Sequence, residues 1–116
     1  MSPNVSDMVG KIFTKVYADD DCMVFENAEE RYTFTHVQDC CETVRIEEIW
    51  GDLEDLELWP LLVAAEVNGE SPDYEGESCT WTFYKFATFK GFVDVRWLGA
   101  SNGYYSEGVD LHHEKL

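Results

Sequence analysis

Residues 79–99, CTWTFYKFATFKGFVDVRWLG, decide the fold class. An extended chain turns successive side chains to opposite faces. Trp81, Phe83 and Lys85 would then share one face of a strand, and Thr82, Tyr84 and Phe86 the other. Lys90-Gly91 reads as a tight connection to a second alternating run, 91–99. Aromatic side chains on both faces ask for a second cover besides the core. A middle helix, a second sheet or a partner protein would each supply it.

Working outward, the same period-two pattern recurs. Residues 11–18 (KIFTKVYA), 22–27 (CMVFEN), 31–37 (RYTFTHV) and 43–49 (TVRIEEI) read as strands joined by short turns at Asp19-Asp20-Asp21 and Ala28-Glu29-Glu30. Strict alternation puts Val44, Ile46 and Glu48 together, opposite Arg45, Glu47 and Ile49. Leu53, Leu56 and Trp59 at three-residue spacing before Pro60 suggest a short helix or ordered loop over 51–59, with Asp52 as a possible N-cap. Residues 61–69 fit strand or helix, and 70–78 read as a loop. Asn102-Gly103 signals a hairpin turn leading into a last strand, YYSEGVDL. The expectation is one α+β domain over 1–116, mostly antiparallel β, with seven or eight strands and one short helix or ordered loop. Residues 1–8 are read as a flexible lead-in.

Composition narrows the function classes. Hydrophobic residues at 45% are enough for a real core. No apolar run approaches the ~20 residues needed to span a bilayer, and the N-terminus lacks a signal-peptide pattern. The expected location is the cytoplasm, where the four cysteines would remain thiols. The formal net charge of −16 repels nucleic-acid backbones and anionic membranes. The same charge favours docking on a basic protein surface.

Residues 35–42, THVQDCCE, gather groups that can carry chemistry. A zinc site would need His36, Cys40 or Cys41 and a carboxylate to converge, with His112 or His113 arriving from elsewhere. On a strand His36 and Cys40 would stand about 13 Å apart, so only a turn at Gln38-Asp39 brings them together. The alternative is that the cysteines pack and His36 and Asp39 bond the turn backbone. A cysteine nucleophile wants positive surroundings, whereas Asp39, Glu42, Glu47 and Glu48 oppose a single Arg45. Glu47, Glu48 and Asp52 could form a carboxylate pair for glycoside chemistry, but so acidic a chain supplies such pairs by chance.

The acidic run is the larger feature. Twelve acids lie between Glu42 and Glu77, with Arg45 as the sole base. A solvated face is the ordinary meaning of such a run. The functional reading is a surface that imitates a phosphate ladder and occupies a basic groove.

Two patterns carry a family resemblance: His36, Asp39, Cys40, Cys41, Glu42, Val44, Ile46, Glu47, Ile49, Gly51, Asp52 and Leu53, then Arg96, Trp97, Gly99 and the run 101–107, SNGYYSE. The chain resembles an uncharacterised domain family found mainly in bacteriophage genomes. The resemblance covers roughly residues 8–112, implies phage origin and expression in a bacterial cytoplasm, and brings no activity.

Together these observations favour a small phage accessory protein that works by protein–protein binding, inhibiting a host or defence protein that normally holds nucleic acid. Glu47, Glu48, Asp52, Glu54, Asp55 and Glu57 would make the contact, with Trp50 or Trp59 as aromatic anchor. No cofactor and no resident metal are expected. The alternative is a nucleotide-signal or metal-binding pocket, with or without hydrolytic activity, lined by His36, Asp39, Cys40, Glu42, Arg96, Asn102, Tyr104 and Tyr105.

Overall fold

The computed structural model describes residues 4–36, 42–68, 78–101 and 109–116. Eight strands are described: β1 (Lys15–Ala18), β2 (Cys22–Glu26), β3 (Glu30–Thr35), β4 (Glu42–Trp50), β5 (Val63–Asn68), β6 (Ser78–Thr88), β7 (Gly91–Ser101) and β8 (Asp110–Lys115). They form two four-stranded antiparallel sheets, ordered β1-β2-β3-β8 and β4-β7-β6-β5. The expected β-dominated domain is therefore present, and its helical part shrinks to two four-residue 3-10 turns. One of these, Leu53–Leu56, occupies the predicted 51–59 stretch with Asp52 at its N-cap. The other, Val5–Met8, falls in the segment read as flexible, yet Met8 is fully buried.

Alternation in β6 and β7 is what builds the second sheet. Thr82, Tyr84, Phe86 and Thr88 are buried, as are Val93, Val95, Trp97 and Gly99, and the residues between them look outward. Thr88 pairs with Gly91, so the connecting hairpin turn is Phe89-Lys90, one residue earlier than expected. The first sheet covers the buried face. Phe25 and Phe34 lie 4.8 and 5.7 Å from Phe86 between ring centroids, and Phe34 lies 4.8 Å from Tyr84. Each such ring contributes about 1.5–3 kcal/mol by leaving water, and edge contacts add about 0.5–1.5 kcal/mol per pair.

Two departures from the sequence reading reposition the surface. The β4–β7 register shifts between Ile46 and Glu48, a bulge at Glu47. Two residues of a bulged strand oppose one on its neighbour, so the alternation changes phase there. Ile46 and Ile49 both pack on the core, while Glu48 faces outward beside Arg96 and Trp50 stands opposite Asp94. Strict alternation had put Glu48 with Ile46. The last strand, moreover, begins at Asp110 and pairs with β3 in the first sheet. It is not the hairpin partner of β7 that Asn102-Gly103 suggested, and that dipeptide lies outside the described residues.

Gly51 ends β4 with φ +106°, and a Cβ there would sit 2.4 Å from the Phe92 carbonyl oxygen. Only glycine lets the chain leave β4 so close to β7.

Candidate functional site

The sandwich has two seams, and they differ. Along the first, the turn after β1 meets β4 and the Leu53–Leu56 turn meets β1. The Ile46 N–H donates to the Asp20 carbonyl at 2.8 Å, which draws the Asp19–Asp21 turn against β4 beside Glu47. The Val16 N–H donates to Glu57 Oε2 at 2.8 Å, and the Leu58 N–H donates to the Phe13 carbonyl at 2.8 Å. These bonds fasten the Leu53–Leu56 turn across the end of β1.

Carboxylates from two distant segments thus gather along one edge: Asp19, Asp20 and Asp21 from the first sheet, and Glu47, Glu48, Asp52 and Glu54 from the second. All seven are exposed. Asp19 accepts from the Asp21 and Cys22 N–H groups at 2.9 and 3.0 Å, which holds its carboxyl below the usual carboxylate range. Glu47 pairs with Arg45 at 3.4 Å and Glu48 with Arg96 at 3.0 Å. Asp20, Asp21, Asp52 and Glu54 have no ion-pair partner among the described residues. The sequence showed Asp19–Asp21 only as a turn, because nothing local says that this turn lands on β4.

A family model described as a domain of unknown function, DUF7448, matches residues 6–111. The chain belongs to that family. The match agrees with a resemblance to an uncharacterised family over nearly the whole length. No curated protein and no solved structure matches the chain.

The predicted contact residues divide within this DUF7448 domain. Glu57 is a staple, its carboxylate taken by the β1 backbone. Asp55 is half-buried, its carbonyl accepting the Thr88 hydroxyl and its carboxylate lying against Gly91. Trp50 and Trp59 are 42% and 41% exposed, as an anchor requires. Asp52 and Glu54 remain the open acids of the predicted set.

Of the eight residues of the alternative pocket, only His36 and Arg96 have described side chains. Asp39, Cys40, Asn102, Tyr104 and Tyr105 lie outside the described residues, as do Cys41 and the side chain of Glu42. His36 is buried just past β3. Arg96 stands on the outer face of the second sheet, its guanidinium 5.3 Å from the Trp50 ring and 4.7 Å from the Trp81 ring. His112 pairs with Thr33, about 10 Å of strand from His36. His113 stacks on Tyr32 at 4.3 Å and bonds Glu30 at 2.9 Å. Among the described residues no three metal-ligating side chains cluster. Glu47 and Glu48 face outward beside arginines and do not flank a cleft.

The second seam, between β5 and β8, holds an open groove of about 980 Å³ lined by Phe34, Ala64, Glu66, Tyr84, Asp110 and His112, among others. Tyr84 donates to Glu66 at 2.6 Å. Burial, reinforced by that hydrogen bond, pushes the Tyr84 hydroxyl well above its ordinary range, so it keeps its proton. Cys22, the described free thiol, is likewise pushed up by burial and by Asp19. Neither is an activated nucleophile. No helix among the described residues is long and apolar enough to cross a membrane.

Proposed function

We propose that this domain acts by binding, laying the acidic seam between β1 and β4 onto a positively charged surface of another protein. The partner is a nucleic-acid-binding protein of the host or its anti-phage defence, and occupying its groove inhibits it. One observation carries the reading: the Ile46–Asp20 backbone bond sets a triple-aspartate turn beside Glu47 and Glu48, joining acids from separate sheets into one strip.

Gathering like charges along one edge works against folding, and a basic groove offsets that repulsion on docking. Asp20, Asp21, Asp52 and Glu54, which have no ion-pair partner among the described residues, resemble a phosphate backbone in charge but not in chemistry. The phage setting implied by the sequence resemblance supplies the host and defence proteins as targets. The binding is expected to be fast at low ionic strength and to weaken steeply with salt.

The test is capture of proteins from bacterial lysate on the immobilised domain, followed by elution with duplex DNA. A partner that DNA displaces supports mimicry. A partner retained under excess DNA contradicts it.

A further inference from the structure

The outer face of the second sheet adjoins the acidic seam along β4, where Glu47 and Glu48 border both, and extends from there across β7, β6 and β5. Register across the four strands sets its rows: Val67, Phe83, Arg96 and Glu48 in one, then Ala65, Lys85, Asp94 and Trp50, then Val63, Ala87 and Phe92. Trp50, Val63, Val67 and Phe92 are 42%, 44%, 48% and 66% exposed. Nothing among the described residues covers them. Contiguous exposed apolar surface of this kind marks an interaction site.

Its charge is the informative feature. Arg45, Lys85 and Arg96 are balanced by Glu47, Glu48 and Asp94 on this face, within a molecule whose net charge is −16. Three of the eight lysines and arginines are thus gathered where the apolar side chains are.

We infer that this face binds a second copy of the same chain, the two outer faces stacking as in a sheet-on-sheet sandwich. A basic partner finds no excess of negative charge here, whereas two copies meet through a charge-balanced apolar face, β4 of one copy against β5 of the other, so that their Asp19–Asp21 turns stay apart. A two-fold axis running along the strands between β6 and β7 returns each row to itself, so that Lys85 approaches Asp94 of the second copy, Phe83 approaches its Arg96 and Trp50 approaches its Ala65. Four strands at ~4.8 Å spacing and some eight residues of strand give on the order of 500 Å² per copy. That lies at the low end for a specific interface, the size found in weak or transient complexes.

Sedimentation equilibrium across the micromolar range tests this. The expected mass rises with concentration from the 13.4 kDa of one chain toward twice that value. Added salt tightens the dimer, because it screens the repulsion between two strongly negative molecules. Val67→Asp with Phe92→Asp, both at exposed positions, keeps the chain monomeric, and far-ultraviolet circular dichroism checks that it remains folded. Tyr17→Asp, on the outer face of the other sheet, leaves the dimer intact. A wild type that stays monomeric throughout overturns the inference, as does a dimer that survives the double substitution or is lost equally in Tyr17→Asp.

Discussion

The two sheets present opposite outer surfaces to water. On the first sheet, Arg31 pairs with Glu26 at 2.9 Å and reaches Glu114 at 4.0 Å, Thr33 and Thr35 lie beside His112 and Asp110, and Lys15 lies over the Tyr17 ring. On the second, two tryptophans flank Arg96 while Val63, Val67 and Phe92 stand open. Folding requires one apolar face per sheet, and each sheet has it in the sandwich interior. The apolar outer face of the second sheet exceeds that requirement, and this surplus separates a surface for water from one for association.

The contrast is broken most forcefully by comparing neighbours in a single strand. Phe86→Ala removes a ring buried between the sheets and is expected to cost about 3–5 kcal/mol in urea or thermal unfolding. Phe83→Ala, three residues away on the outer face, costs well under half as much in the dilute monomer. Equal losses would mean that the outer face belongs to the core.

The two kinds of acid on the seam are separable in the same way. Glu57→Ala leaves the Val16 N–H without its acceptor and is expected to cost about 1–2 kcal/mol. Glu54→Ala, an exposed acid with no ion-pair partner among the described residues, changes stability by less than about 0.5 kcal/mol. If Glu54 proved as costly as Glu57, the open acids would be structural and not available for docking.

The smallest effect concerns Glu30, which joins Lys11 at 3.0 Å to His113 at 2.9 Å across the first sheet's margin. Burial raises its carboxyl pKa, but hydrogen bonds from Lys11 and His113 outweigh burial, and the net shift is below the ordinary 4.5. A depressed carboxyl stabilises the fold above the ordinary value, and that contribution fades as pH falls through the lowered one. Glu30→Gln should therefore cost about 1 kcal/mol at neutral pH, discounted for the partly exposed partners, and little at strongly acid pH. A pH-independent cost would point to packing instead of charge.

Much of the fold was legible because period-two alternation is a local signal. Residues 79–99 show both strands of the central hairpin, and the alternation correctly separates Phe83 from Phe86. What was not legible depended on contacts between distant segments. The Glu47 bulge reverses the facing of Glu48 and Ile49, and nothing in TVRIEEI marks the extra residue. The last strand passes over β7 to pair with β3, although Asn102-Gly103 is a strong hairpin signal. The acidic run was visible as composition, but Glu57 and Asp55 proved to be tied into the fold. Asp19–Asp21 joined the strip only through a backbone bond to β4. The His36–Cys40 and Tyr104–Tyr105 constellations depend on residues outside those described.

The most direct test of the acidic seam uses the captured partner and the variant Asp20→Asn/Asp21→Asn/Asp52→Asn/Glu54→Gln. Affinity is measured for both proteins as ionic strength is raised. The seam account predicts that the wild type binds about 10- to 100-fold more tightly at low salt and that the two converge as salt increases. Equal affinity and equal salt dependence for both proteins would contradict it.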